Sequence, residues 1–239
     1  MKKTVHRAES RGHFDHGWLD TYHTFSFARY YDPHRVHFGA LRVLNDDTVQ
    51  GGEGFGTHSH ENMEIVSIPL EGILEHGDSM GNNGRQLRPG EIQVMSAGTG
   101  IRHSEFNGST AAPVRFLQIW VIPERRGLTP RYENIRLEEA VRGRLQPIVA
   151  PYGHGSRHVG WIHQRAWFYL GTLDAGQSVV HRLHAQEHGV YLFVIEGTVN
   201  AAGETLGRRD GIGISDTASV EVTTGTPARI LLMEVPMNW

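Results

Sequence analysis

The sequence contains no cysteine, and this absence removes two kinds of structure at once. Disulfide bonds are excluded, and so is any metal site that depends on thiolate ligands. A transition metal in this protein must therefore be bound by nitrogen and oxygen atoms. The lack of cysteine is also typical of a cytoplasmic protein, which is the location that we expect.

Long apolar runs and a strong charge imbalance are lacking as well. No stretch approaches the roughly 18 consecutive apolar residues of a membrane span, and no signal-peptide core follows the charged N-terminus. The 23 Lys and Arg residues nearly balance the 26 Asp and Glu residues, giving a formal net charge of −3. No basic stripe of the kind that binds phosphate backbones is present. We therefore expect a soluble protein with no direct nucleic-acid or membrane partner.

Helical periodicity is scarce, whereas glycine is abundant, with 29 residues in a chain of 239. The apolar segments are short, rich in strand-forming residues and interrupted at turn-like intervals. This pattern is typical of antiparallel β-sandwiches and barrels. The one short helical pattern covers residues 137–141.

A repeated pattern predicts two barrels. The segment LEGI at 70–73 recurs as IEGT at 195–198, and each is followed by a polar turn and then an alternating strand that begins with glycine. Repetition at this scale indicates two units of one architecture. We predict an all-β fold of two antiparallel, jelly-roll-like barrels. The N-terminal barrel covers residues 1–130, a linker with little helix covers 131–146, and the C-terminal barrel covers 147–239.

Histidine is common, with 16 residues, and four potential metal ligands occur as two pairs. Alternate side chains of a strand share a face, so His58 and His60 project together, and so do His103 and Glu105. Neighbouring strands would bring these three imidazoles and one carboxylate around a single point. Such a set suits a divalent first-row metal and leaves two positions of a six-coordinate ion open for ligand binding or catalysis.

Glu64 is a second candidate for the carboxylate ligand. It lies four residues after His60 and would keep the same inward parity in a continuous strand. Parity alone does not choose between Glu64 and Glu105. Whichever is not a ligand is expected to orient an imidazole.

The first 37 residues carry an aromatic pattern. His23, Phe25 and Phe27 share a parity that would place them on one face of a strand. We interpret this segment as a β-ribbon that covers one end of the N-terminal barrel rather than as catalytic machinery. Four further histidines are expected to make ordinary surface hydrogen bonds, namely His13, His16, His34 and His37.

The second barrel does not copy the histidine pairs. When the LEGI and IEGT repeats are superposed, the positions of His58 and His60 fall on Leu183 and Ala185. Three nearby histidines are spaced by intervals of three and four, which do not place them on one face of a strand; they are His181, His184 and His188. We therefore predict a C-terminal barrel without a metal site, which supports or gates the first barrel.

The histidine-bearing segments resemble the two cupin motifs, with the frames Gly52-x5-His58-x-His60-x3-Glu64 and Gly100-x2-His103-x3-Asn107. Further segments are similar to the pirin family of bicupins, especially its bacterial quercetinase-like branch. They are RGH at 11–13, GWLD at 17–20, HTFSF at 23–27, YDP at 31–33, GFG at 54–56, MGN at 80–82 and SAGTGI at 96–101. The resemblance covers essentially the whole chain.

The resemblance implies one metal in the N-terminal barrel, held by His58, His60, His103 and Glu105. It also implies a quercetin 2,3-dioxygenase, in which a flavonol binds the metal and O2 opens the heterocyclic ring with release of carbon monoxide. The metal would lower the pKa of the flavonol 3-hydroxyl, and Glu105 would act as the catalytic base. Fe(II) is the expected metal, and copper, nickel, manganese or zinc also suit these ligands.

Two other functions are consistent with the same motifs. One is a non-enzymatic regulator of the kind that other pirins suggest, which binds a protein partner such as a transcription factor or a metabolic enzyme. The other is a non-oxidative cupin such as an isomerase. A redox-inert zinc ion would support full activity of an isomerase, whereas a dioxygenase needs a metal that passes electrons or organises O2.

Overall fold

The structure of the protein is a computed structural model that describes residues 1–239. It is built almost wholly from β-strands, and its only helical element is a 3-10 turn at Ala8–Ser10. The prediction of an all-β fold is therefore confirmed. No helix has the length and apolar character needed to cross a bilayer.

Twelve strands precede residue 137. They are β1 (Lys2–His6), β2 (Gly12–Asp15), β3 (Leu19–His23), β4 (Leu41–Val49), β5 (Gly54–His60), β6 (Glu64–Glu71), β7 (Leu74–Asp78), β8 (Arg85–Leu87), β9 (Glu91–Ser96), β10 (Ile101–Asn107), β11 (Val114–Val121) and β12 (Arg131–Arg136). One sheet has the order β12-β9-β6-β11-β4-β3-β2, and a smaller sheet has the order β5-β10-β7-β8.

Ten strands follow. They are β13 (Arg144–Pro151), β14 (Gly160–Ile162), β15 (Trp167–Leu173), β16 (Ser178–Arg182), β17 (His188–Glu196), β18 (Val199–Ala201), β19 (Glu204–Leu206), β20 (Gly211–Ser215), β21 (Ser219–Thr223) and β22 (Ala228–Pro236). Their sheets have the orders β1-β20-β17-β22-β15-β13-β14 and β16-β21-β18-β19. Seven strands thus face four strands in each half, and the bicupin prediction is confirmed.

The repeated glycine of the two halves has a structural cause. Gly72 and Gly197 have φ angles of 78° and 84°, a region that side chains with a Cβ rarely adopt. A Cβ at either position would also collide with a backbone carbonyl oxygen, that of Pro113 or Pro227. The repeat therefore marks the same tight turn in both barrels.

The two barrels share strands and core. Strand β1, at the start of the chain, pairs with β20 of the second barrel, whereas β12 pairs with β9 of the first. The largest apolar cluster draws on both halves and includes Val94 and Leu117 together with Phe168 and Tyr191. The halves are therefore packed against each other through one continuous core.

The segment between the barrels differs from the expectation in two respects. Residues 137–141 form no helix, and the N–H of Leu137 instead donates to the carbonyl of Gly90 at 2.9 Å. A pattern of five residues is too short to offset the cost of helix nucleation. The predicted linker 131–146 also contains β12 and the start of β13, so the segment without strand structure is 137–143.

The interiors of the two barrels have opposite polarity. In the second barrel, Leu192 on the central strand β17 pairs with Ile212 on one side and Leu232 on the other, and all three are apolar and fully buried. The positions that pair in the same way in the first barrel carry polar side chains; they are Ser67, Gln93 and Gln118. At these positions the second barrel is packed with hydrocarbon, whereas the first has polar side chains that can take part in a site.

Candidate metal centre

Three histidines converge inside the first barrel. His58 and His60 lie on β5, and His103 lies on the adjacent antiparallel strand β10, directly opposite His58. The ring centroids of His103 are 4.4 Å from His58 and 4.8 Å from His60, and those of His58 and His60 are 4.8 Å apart. Each ring offers a nitrogen within 4.8 Å of the others. The three imidazoles therefore surround one point.

The protonation state and bonding of these rings fit a metal ion. Both ring nitrogens of His103 are buried without a hydrogen-bond partner, an arrangement that is costly unless something else binds them. His58 Nδ1 donates to the carbonyl of Gly56 at 2.8 Å, which leaves Nε2 available. Burial lowers the pKa of His60 to about 4 and that of His103 to about 2, so both rings are neutral near pH 7. Neutral nitrogen donors suit a divalent first-row ion.

Glu105 lies beside His103 but outside the three-histidine group. Its carboxylate instead lies close to His76 and His103, because a β-bulge shifts the register between residues 103 and 105. Ser67 Oγ donates to Oε1 at 3.3 Å, and Gln118 Nε2 donates to Oε2 at 2.7 Å. Burial raises the pKa of Glu105 to about 7, although these hydrogen bonds act to lower it. Glu105 is therefore suited to exchange a proton near neutral pH.

Glu64 is held away from the imidazoles. Its Oε2 accepts a hydrogen bond from Ser96 Oγ at 2.7 Å, and its carboxylate also accepts one from the backbone of His163. Strand β5 ends at His60, and Asn62 has a φ of 50° before β6 begins in the other sheet. The inward parity of β5 therefore does not continue to Glu64, which orients none of the three rings.

His76 is a member of the site that the sequence analysis did not identify. It lies on β7 opposite Glu105, and its ring centroid is 5.3 Å from that of His103. Its Nε2 is 2.9 Å from Asp78 Oδ2, and its Nδ1 is buried without a partner. The His-x-Asp spacing within a short strand is the signal that could have revealed it.

A cavity of about 460 Å³ opens onto His58, His60 and Glu105. Four aromatic side chains line it, namely Trp18, Phe27, Phe55 and Trp120. The Trp120 ring meets the His60 ring edge to face, with centroids 4.8 Å apart. The volume and apolar lining are within the range of sites for small aromatic ligands.

The segment before residue 37 contributes to this cavity, but its aromatic residues do not share one face. Strand β3 ends at His23, and the chain then turns. Phe27 packs against Trp120 at 5.3 Å, whereas Phe25 is buried on the other side against Tyr191 at 5.4 Å. The predicted common face was therefore wrong. His16, expected to be a surface residue, is exposed and borders the cavity.

Asp47 lies in the cavity wall and has an unusually high pKa. It is 4% exposed and accepts a hydrogen bond from Thr21 Oγ1. Burial is the main cause that raises the pKa of Asp47 from its ordinary 3.8 to about 7. The side chain is therefore largely protonated below neutral pH.

We expect Asp47→Asn to change the pH dependence of stability. An acid with a raised pKa in the folded state loses its proton on unfolding between pH 3.8 and about 7, so its contribution to stability falls as pH rises through that window. The melting temperature of the variant minus that of the parent should therefore increase from pH 5 to pH 8. A few degrees, on the order of 1 kcal/mol, is expected.

Asp15→Asn, at an exposed carboxyl group, is the matched control and should show no such trend. A difference in melting temperature that stays constant between pH 5 and pH 8 would contradict the raised pKa of Asp47.

The histidines of the second barrel do not occupy the positions that superposition of the two repeats predicted. His181 on β16 lies opposite Val220 on β21, which is the pairing of His58 with His103 in the first barrel. His181 precedes the turn glycine Gly197 by two residues more than His58 precedes Gly72, so the alignment on the repeat was wrong by two positions. His181 is therefore the counterpart of His58, although Val220 replaces the facing histidine.

Comparison with known proteins agrees with the fold. Residues 4–121 match the Pirin family, and residues 148–235 match the Quercetinase C-terminal cupin domain. The chain is 45% identical over 232 residues to quercetin 2,3-dioxygenase of Escherichia coli strain K12, covering 97% of this chain and 98% of the relative. It is 37% identical over 224 residues to a pirin-like protein of Caulobacter vibrioides, covering 93% and 95%.

A solved structure extends the match to three dimensions. The crystal structure of the bacterial pirin YhhW from Escherichia coli in complex with nickel(II) has a TM-score of 0.92 and 42% identity, over 98% of this chain and 99% of that one. Two such barrels, with a histidine cluster in the first, define a bicupin with a candidate centre for a divalent metal. The chain belongs to the pirin family, in its bacterial quercetinase-like branch.

Proposed function

We propose that the protein is a metal-dependent dioxygenase that opens the heterocyclic ring of a flavonol such as quercetin with O2. One observation carries the proposal: the imidazoles of His58 and His60 and the buried carboxyl group of Glu105 border a cavity with aromatic walls, and His103 completes the three-histidine group behind them. A flat polyhydroxylated ring system matches both features, because the rings offer stacking surfaces and the site offers polar atoms at one end.

His58, His60 and His103 would hold the metal, with Glu105 as the fourth ligand or as a neighbouring base. When bound, the ion would acidify the flavonol hydroxyl and promote its reaction with O2. Fe(II) is the metal that we expect, and nickel(II), which the relative YhhW binds, suits the same nitrogen donors. The expected location of the protein is the cytoplasm.

The protein's own groups would orient the substrate and move its proton. Glu105 Oε1 and Oε2, held by Ser67 and Gln118, would accept the proton of the flavonol 3-hydroxyl. Asn45 lines the cavity, and its Oδ1 is buried without a donor, so it can accept a hydrogen bond from another substrate hydroxyl. The aromatic walls would exclude water from the reacting ring.

An oxygen-electrode assay with quercetin tests the proposal. Metal-loaded protein should consume O2 in step with the loss of the flavonol absorbance and should release carbon monoxide. Protein stripped of metal should lose the activity and recover it on reloading. Full activity with zinc alone, without O2 uptake, would indicate a non-oxidative cupin. Tight quercetin binding with no turnover in air would contradict the enzyme and favour the regulatory alternative.

A further inference from the structure

The second barrel contains its own cluster of metal-ligating side chains. Glu234, on β22, is fully buried, and its carboxylate is bonded to three imidazoles. His181 Nε2 and His184 Nδ1 lie 2.6 and 2.8 Å from Oε2, and His188 Nδ1 lies 2.7 Å from Oε1. The ligand atoms of His181, His184 and Glu234 all lie within 4.8 Å of one another.

We propose that this cluster binds one divalent transition-metal ion of the zinc type, with His181, His184 and Glu234 as ligands. His188 is assigned a positioning role, because its Nδ1 donates to Oε1 while the other oxygen faces the ligand rings. The backbone N–H of His184 donates to the same Oε1 at 2.8 Å, which fixes the carboxylate from a second direction. This site is separate from the proposed dioxygenase centre and does not depend on it.

The charge of the cluster favours a cation. Histidines supply every ion-pair partner of Glu234, and no lysine or arginine approaches it. The ionised carboxylate of Glu234 is therefore a buried negative charge without a permanent cation beside it. A bound divalent ion compensates that charge directly.

The geometry requires only a small adjustment. Ligand atoms around a tetrahedral zinc ion at about 2.1 Å are about 3.4 Å apart, so the nitrogen-to-oxygen distances of 2.6 and 2.8 Å must lengthen by about 0.6 to 0.8 Å. His184 can move by this amount, because it lies in the loop after β16 and its side chain is 38% exposed. On metal binding, His181 and His184 would each shift the proton from the nitrogen that faces Glu234 to the other ring nitrogen, so that the ion meets a lone pair on each ring.

Access to the cluster is from the side of His184. The His184 ring stacks on Trp167 with a centroid distance of 3.9 Å and an interplanar angle of 2°. The stacked ring lies at the surface, whereas His181 and His188 are buried. An ion can therefore reach the carboxylate without opening the apolar core of the barrel.

Zinc titration of the full chain tests the proposal. His58→Ala/His60→Ala removes the first centre, and calorimetric titration of this variant should still show one saturable zinc ion per chain. Zinc should also raise its melting temperature, because an ion that binds only the folded state stabilises it. Adding His184→Ala should weaken zinc binding at least tenfold. Adding His154→Ala, at an exposed histidine in the same half, should leave binding unchanged.

Cobalt(II) provides a readout that does not require a variant of the cluster. Its visible absorption in the His58→Ala/His60→Ala chain should show an intense four-coordinate band. No saturable zinc binding in that chain, or binding that is equally tight after His184→Ala, would overturn the proposal. The parent chain should bind one ion more than the His58→Ala/His60→Ala chain. Equal numbers of bound ions in the two chains would show that the first centre binds none, and this result would leave the test of the second cluster unaffected.

Discussion

Glu105→Gln is expected to lower kcat for flavonol oxygenation by about 10²- to 10⁴-fold, the usual contribution of a general base. The variant side chain can still accept from Gln118 through its carbonyl oxygen and can donate to Ser67 Oγ, so the hydrogen bonds around it are retained. The change removes a carboxyl group whose pKa is raised to about 7 by burial and leaves the three histidines in place. Metal content should remain close to that of the parent.

The decisive comparison is kcat against metal content in the same preparation. Glu139→Gln, at an exposed carboxyl group, is the matched control and should leave both quantities unchanged. A Glu105→Gln protein with a kcat within threefold of the parent would rule out Glu105 as the base. Equal loss of metal and activity would make Glu105 a ligand only.

His58→Ala is expected to reduce metal affinity by more than the roughly 10- to 100-fold that is typical when a residue that only orients a ligand is removed. Stability should change little. The side chain is half-buried on the edge strand β5, and its only hydrogen bond is to the carbonyl of Gly56. Loss of that bond should cost about 1 kcal/mol, or a few degrees of melting temperature.

Metal analysis after dialysis, together with a melting curve, measures both effects. His34→Ala, at an exposed histidine in the same barrel, should retain full metal content and the parent melting temperature. Retention of tightly bound metal by His58→Ala would show that the ion lies elsewhere. Unfolding of the variant at room temperature would show that the metal is structural.

The repeat and the short alternating segments were sufficient to predict the architecture. Each barrel uses the same tight glycine turn. The alternating pattern of β10 correctly predicted that His103 and Glu105 point inward. Patterns limited to one strand predict which face a side chain occupies, because the side-chain period is fixed. The exchange of β1 into the second barrel was not predictable, since pairing between distant strands leaves no local signal.

Parts of the site depended on relationships between elements that a single sequence does not reveal. Glu64 lost its expected parity because the chain turns at Asn62 and changes sheet. Gln118 lies in a mostly apolar strand and was not identified from the sequence, although it donates a hydrogen bond to Glu105. The bulge that separates Glu105 from the histidine group is likewise a matter of register between strands.

The second histidine cluster shows most clearly that contacts between distant elements cannot be predicted from spacing along one sequence. Intervals of three and four residues exclude a common face within one strand, but His181, His184 and His188 come from a strand, a loop and the next strand. They meet on Glu234, which is more than forty positions away from each of them. Convergence of this kind is set by tertiary structure, so spacing alone could not have predicted it.

A crystal structure of the metal-loaded protein, with anomalous scattering measured at the absorption edge of the metal, tests the central claim most directly. The account predicts one anomalous peak in the first barrel, within about 2.1 Å of a ring nitrogen of each of His58, His60 and His103. A first barrel without such a peak, or a peak that two or more of these rings do not contact, would contradict it.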